Sequence, residues 1–212
     1  MSNITFDKQA KAKIKKEDIE WLRIWCEETN DESLPHVALI GDSITEGYYS
    51  IVKEELKGIA NLDYFATSYS VVSELYSATV KSFIKDSAYA VVHYNYGLHA
   101  YGVDAETYQV CCKELLQFIA SQTRTVIATT TTVLDETLKA ENVLWKDKVI
   151  ARNKKLLAIA KELDLDVDDL NTLCKGFDTS FINQDGVHFN EAGYFALSKS
   201  VAESIKKQLE KG

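Results

Sequence analysis

Three features of the sequence predict a three-layer α/β/α sandwich built on about five parallel strands. Short apolar runs at His36–Gly41, 88–94 and 125–130 have the continuous composition of strands buried on both faces. Longer segments with apolar residues at helical spacing separate them, and strands that alternate with helices form parallel sheets covered on each side. The 212-residue chain has one proline, Pro35, and no Gly/Ser linker, low-complexity tract or repeat. It is therefore expected to form one domain, 1–212, with 1–35 as an N-terminal helical extension.

In chain order, Ile19, Leu22, Trp25 and Cys26 stand at helical spacing and predict a helix over 17–29. Pro35 introduces the first strand, 36–41. A short helical pattern follows over 51–56, a short strand over 62–66, a helix over 71–85 and a strand over 88–94. Asp104 suits the N-cap of a helix over 104–121. A strand over 125–130 precedes a long helix over 142–163, with Val149, Ile150, Leu156, Leu157 and Ile159 as apolar positions. A short strand over 166–170 leads to the closing helix over 190–209, entered at Asn190.

Composition narrows the class. Hydrophobic residues make up 46% and charged residues 26%, which is ordinary for a globular protein. A chain of this size buries roughly 70% of its unfolded surface and needs no staples. The net charge of −8 argues against nucleic-acid and anionic-membrane partners, which require a basic face. The four cysteines, Cys26, Cys111, Cys112 and Cys174, form no C-x-x-C pair and read as core thiols. Residues 1–16 are polar and lysine-rich, without a signal peptide's apolar stretch, and no run of about 18 apolar residues occurs, so the expected location is cytoplasmic. The oligomeric state is left open.

In open parallel sheets, sites lie beyond the carboxyl ends of the strands. The first strand ends in Gly41-Asp42-Ser43, which puts Ser43 at the mouth of a helix, where backbone N–H groups favour a developing oxyanion. Alone, this tripeptide is weak, because Ser or Asp before a helix is usually a cap. The loop before the last helix reads Asn183-Gln-Asp-Gly-Val-His188. A nucleophilic serine needs a base, and a histidine base needs a carboxylate to orient it. Asp185 and His188 lie three residues apart and can project to one side, although Asp185-Gly186 also suits a plain turn.

Gly-Asp-Ser after the first strand together with Asp-x-x-His before the last helix resembles the SGNH, or GDSL-like, hydrolases. The resemblance spans nearly the whole chain. It implies a flavodoxin-like sandwich that hydrolyses carboxylic esters, such as acetyl groups on carbohydrates, with no cofactor and no metal. It also implies Ser43 as nucleophile, His188 as general base and Asp185 as its orienter. The family's oxyanion hole has three donors, and the first corresponds to the Ser43 N–H. The second is normally a glycine N–H after the second strand; here 65–71 has no glycine, and Ser68, with Ser70 next, stands at that place, although both also suit turns and caps.

The third donor is normally the asparagine of Gly-x-Asn-Asp. Here the segment is Asn95-Tyr-Gly97-Leu-His99, which resembles a divergent branch that includes polysaccharide O-acetyl esterases and transferases. Either Asn95 or His99 then supplies the donor; otherwise Asn95 makes a strand-end hydrogen bond and His99 is an exposed loop residue. The choice has consequences, because loss of one donor costs about 3–4 kcal/mol in activation energy.

Other candidates carry less. His93, inside an apolar strand, reads as a satisfied buried histidine, and His36 lies at the wrong end of the sheet. Thr129 to Thr132 could line a pocket or simply suit a strand. Tyr48, Tyr49, Tyr69, Tyr96 and Tyr101 fall on the site loops and could stack on a sugar. The expected partner is a small-molecule or carbohydrate ester. An acyltransferase with the same triad and a catalytically silent carbohydrate-binding module are the competing readings. A metal hydrolase using His93, His99 and His188 is disfavoured, since no H-x-H or H-E-x-x-H spacing is present.

Overall fold

The computed structural model describes residues 16–99, 101–135 and 137–211. Six strands form one sheet: β1 (Leu22–Trp25), β2 (His36–Gly41), β3 (Asn61–Thr67), β4 (Val91–Asn95), β5 (Arg124–Ala128) and β6 (Asp166–Asp168). Their order is β1-β3-β2-β4-β5-β6. β2 to β6 are parallel, as their continuous apolar runs require, and β1 alone is antiparallel, against β3.

The helices are α1 (Ser43–Glu55), α2 (Glu74–Asp86), α3 (Ala105–Ala120), α4 (Val143–Leu163), α5 (Leu170–Lys175) and α6 (Glu191–Glu210). Their starts follow from side-chain caps. Asp104 accepts from Thr107 N at 2.8 Å, Asn142 from Leu144 N at 3.0 Å and Asn190 from Gly193 N at 3.1 Å, each satisfying a first-turn amide. α1 and α6 cover one face of the sheet, around Leu39, Ile44, Tyr48, Leu197 and Val201. α2, α3 and α4 cover the other, around Ile40, Phe65, Val80, Leu116 and Leu156. Neighbouring Leu39 and Ile40 enter opposite cores, which is the two-residue period of a strand covered on both sides. Among the described residues no helix is long and apolar enough to cross a membrane.

The N-terminal expectation needs correction. Within 17–29 the chain forms strand β1 where a helix was expected, and the sheet has six strands, one of them antiparallel. Residues 1–15 of the expected helical extension lie outside the described residues. The apolar spacing misled because Ile19 and Trp25 do not reach the core and stay exposed. What the segment satisfies is the free edge of β3. Leu22 to Trp25 pair with Thr67 to Tyr64, and the Trp21 carbonyl accepts from Ser68 N at 3.1 Å. An unpaired row of buried N–H and C=O groups is costly, and this demand outweighs a weak local helical preference. Helix α5 was also unforeseen; it takes over where the strand at 166–170 was expected to continue.

β2 ends at Gly41, opposite Asn95 of β4. A side chain at Gly41 would put its Cβ 1.9 Å from Thr45 Oγ1 and 2.4 Å from the Asn95 carbonyl oxygen. Only glycine lets α1 start so close to the neighbouring strand end. Gly41→Ala is therefore expected to lower stability by about 1–3 kcal/mol, read as a fall in the urea midpoint at unchanged slope. An unchanged midpoint would mean that the two strand ends part freely.

Candidate active site

Ser43 is the first residue of α1, directly after the cap Asp42, whose Oδ1 accepts from Ile44 N at 3.0 Å. The Ser43 amide is thus a first-turn N–H with no acceptor inside the helix, at its electropositive end. Across the chain, the loop before α6 folds back on itself. Ile182 bridges Phe189, and Asn183 N donates to the His188 carbonyl at 2.8 Å. Gly186 makes the turn at φ +70°, and its carbonyl accepts from Leu134 N at 2.8 Å. A Cβ there would also lie 2.4 Å from the Leu134 carbonyl, so the position requires glycine twice over.

This loop presents Asp185 and His188 to Ser43. His188 Nε2 is 2.8 Å from Ser43 Oγ, and His188 Nδ1 is 2.7 Å from Asp185 Oδ2. The second Asp185 oxygen accepts from Val187 N at 2.8 Å and His188 N at 2.9 Å. The three residues singled out in the sequence therefore form one hydrogen-bonded chain. Partial burial pulls the Asp185 carboxyl up, but the His188 N–H, the His188 ring and the Val187 N–H outweigh it and hold the carboxyl below its ordinary value. Side-chain exposures of 37% for His188 and 50% for Asp185 leave the chain open to water. Gly47 lies against the Tyr194 ring, where a Cβ would meet Tyr194 Cζ at 2.1 Å, so α1 and α6 approach closely one turn beyond Ser43 and His188.

Beneath Ser43, Asp42 is a buried carboxylate. Burial pushes its pKa up, while the charge of His99 and the N–H groups of Ile44, Leu98 and Gly97 pull it back. The 97–99 loop is held from its other side by Arg152 of α4. Arg152, only 1% exposed, donates to the carbonyls of Gly97 at 2.6 Å, His99 at 2.8 Å and Val103 at 3.4 Å. Sequence reading missed Arg152. Its signal was an arginine on the apolar face Val149-Arg152-Leu156 of α4, all three of them buried.

The expected donors separate. Ser68 is not free to donate at the cluster: its N–H is taken by the Trp21 carbonyl, and its Oγ accepts from Trp21 N at 2.9 Å. Trp21, at the entry to the unforeseen strand β1, uses both. Asn95 is buried, and its Nδ2 donates to Tyr48 OH at 3.2 Å beneath α1. His99 is half-buried; its Nδ1 lies 2.9 Å from Glu17 Oε1, and its ring stands edge-on to Trp21 at 6.5 Å. Glu17 and Trp21 were also missed, because they belong to the misread N-terminal segment.

The tyrosines divide in the same way. Tyr48 and Tyr96 are buried, with Tyr48 OH 3.1 Å from Thr45 Oγ1 and Tyr96 OH donating to the Tyr69 carbonyl, so neither can meet a sugar. Tyr101 stays exposed, beside Trp145 at 5.2 Å. Thr129 to Thr132 are buried; Thr129 Oγ1 donates to Asp169 Oδ1 at 2.7 Å and Thr132 Oγ1 to Glu141 Oε1 at 3.3 Å. His93 is buried with Nε2 3.0 Å from Asp168 Oδ2, and His36 Nε2 lies 3.0 Å from the Asp31 carbonyl at the far end of the sheet. Among the described residues no group of three or more metal-ligating side chains comes together.

No protein-family model matches the chain, and no curated protein matches its sequence. Solved structures do share its fold. An α/β hydrolase enzyme from the metagenome of Lake Arreo superposes with a TM-score of 0.68 at 13% identity, over 81% of this chain and 95% of that one. A member of the lipolytic protein G-D-S-L family from Veillonella parvula gives 0.66 at 18% identity, over 82% and 100%. An acetylxylan esterase from Geobacillus stearothermophilus gives 0.65 at 15% identity, over 81% and 94%. The fold is that of the SGNH/GDSL hydrolases, an α/β sandwich with a mostly parallel sheet.

Asp185 is expected to titrate below the ~3.9 of a free aspartate. A lowered folded value means that the ionised form favours the folded loop; that contribution is complete above the ordinary range and is lost as pH falls through the lowered value. Half-exposure keeps it small. A carboxyl-carbon NMR titration checks this, and a midpoint at or above ~3.9 would mean the loop amides do not hold the carboxylate.

Proposed function

We propose that the chain, read as one domain over 1–212, is a serine esterase of the SGNH/GDSL type that removes a small acyl group, an acetyl, from a carbohydrate through an acyl-Ser43 intermediate. The observation that carries this reading is the unbroken chain Asp185–His188–Ser43, at 2.7 and 2.8 Å, ending on a serine at a helix N-terminus. A hydrogen-bond chain of carboxylate, imidazole and hydroxyl is the arrangement that activates a serine.

In the first half-reaction Ser43 Oγ attacks the ester carbonyl carbon while His188 Nε2 takes the hydroxyl proton. Asp185 Oδ2 accepts from Nδ1–H and stabilises the imidazolium. The tetrahedral intermediate collapses as His188 gives that proton to the departing alkoxide, releasing the alcohol and leaving acyl-Ser43. Water then attacks the acyl carbon, giving a proton to His188, and the carboxylic acid leaves as Ser43 Oγ is reprotonated. The exposure of His188 and Asp185 supports water as the acceptor over a sugar hydroxyl, because solvent reaches the base directly.

The developing oxyanion is met by the Ser43 N–H, favoured by the α1 dipole. We assign the second donor to His99. Asn95 is spent on Tyr48 beneath the helix, whereas His99 belongs to the 97–99 loop, which reaches Asp42 next to Ser43. His99 Nδ1 lies 2.9 Å from Glu17 Oε1, which leaves Nε2 as the ring nitrogen turned away from Glu17. The acetyl-sugar assignment rests on the likeness to an acetylxylan esterase and on the accessible aromatic Tyr101 beside Trp145.

A fluorophosphonate probe should add once to the wild type and not to Ser43→Ala by intact mass. Ser43→Ala and His188→Ala should each lose about 10⁴–10⁶ in kcat, and the double variant little more. No adduct on folded protein would make the chain a silent binding module. Transfer of acetyl to an added sugar in preference to water would make it a transferase.

Substitution tests the His99 assignment. His99→Ala should cost about 10²–10³ in kcat and slow fluorophosphonate labelling of Ser43 in parallel, while His99→Asn, which keeps a side-chain N–H donor, should recover part of the loss. An unchanged kcat in His99→Ala would remove His99 from the oxyanion hole.

A further inference from the structure

The outer face of α4 is unlike the rest of the surface. Val143 and Leu144 are 84% and 66% exposed, and Ile150 and Leu157 are 50% and 46% exposed. At 100° per residue these side chains, with Ala151 and Ala158, form one stripe on the side opposite the buried Val149, Arg152, Leu156 and Ile159. Val143, Ile150 and Leu157 repeat every seven residues, the spacing that keeps a seam in register along a second helix. Scattered exposed apolar residues need no explanation, but apolar residues aligned over about 22 Å of one helix face mark a contact surface.

The stripe carries three exposed charges, Asp147 and Lys154 in its middle and Lys161 at its C-terminal end. Their placement identifies the partner. When a second copy of α4 is laid antiparallel about a two-fold axis between Ile150 and Ala151, Leu144 meets Leu157, Val143 meets Ala158 and Ile150 meets Ala151. Asp147 then meets Lys154 of the other copy, on both sides of the axis. Each of these apolar positions faces an apolar one, Asp147 and Lys154 face their opposites, and Lys161 lies beyond the paired span. An isologous interface demands this self-complementarity, and a stripe shaped for an unrelated partner does not produce it. A parallel arrangement would set Asp147 against Asp147 and Lys154 against Lys154.

We propose that this chain forms a homodimer through α4, paired antiparallel across that axis. A seam of one helix pair lies at the small end of specific interfaces, so the dimer should dissociate at roughly micromolar concentration. The pairing is independent of the chemistry assigned to Ser43, and none of its residues belongs to the hydrogen-bonded chain or to the 97–99 loop.

Sedimentation velocity on the full chain, from about 1 to about 500 μM, should show a concentration-dependent shift from monomer to dimer. Ile150→Glu, which brings a buried charge to the axis, should weaken it at least about a hundredfold. Asp147→Lys should weaken it about tenfold by setting lysine against lysine, and Asp147→Lys combined with Lys154→Asp should restore it to within about threefold, because the swap recreates both pairs. Circular dichroism checks that each variant is folded. A wild type monomeric throughout, a dimer indifferent to Ile150→Glu, or a double swap that fails to recover would each overturn the proposal.

Discussion

Two buried ionisable side chains hold the floor of the candidate site. Asp42 sits at the Ser43 end of α1, and Arg152 rises from the middle of α4 on the other face of the sheet. The peptide groups of 97–99 lie between them, with the Gly97 and Leu98 N–H groups acting on the carboxylate and the Gly97 and His99 carbonyls taking the guanidinium. A buried polar group is costly unless it is hydrogen-bonded, so both side chains depend on those peptides in that orientation. The loop that carries His99 is therefore fixed from above and below.

The regular part of the architecture was legible in the sequence because its cause is local. β2, β4 and β5 are continuous apolar runs, since both of their faces are covered, and Asp104, Asn142 and Asn190 mark helix starts by a short-range hydrogen bond. What failed had a remote cause. β1 exists because β3 has a free edge more than forty residues away, which no window of the N-terminal segment records. The same pairing removed Ser68 from the donors and brought Glu17 and Trp21 to His99, so one misread element accounts for several misread side chains.

The Ser43, Asp185 and His188 constellation was legible for a different reason. Each member lies at a place that parallel-sheet topology reserves for chemistry, and two short motifs name the residue types. The tyrosines show the limit of that rule. All five fall on loops or elements near the carboxyl edge, yet Tyr48 and Tyr96 turn inward, where their hydroxyls serve Thr45, Asn95 and the Tyr69 carbonyl. Burial depends on which way a side chain leaves its element, and an aromatic with a polar tip satisfies either environment.

The bond between Ser43 and His188 joins residues 145 positions apart, Ser43 at the start of α1 and His188 on the loop before α6. Between them the chain must complete β3 to β6 and then lay α6 against α1. Contacts of such long sequence separation form late, because the loop entropy is lost before the contact returns anything. During synthesis, a chain whose sheet is already assembled but whose α6 has not docked carries Ser43 without its His188 partner. On the esterase reading proposed above, Ser43 is activated only when the last layer closes.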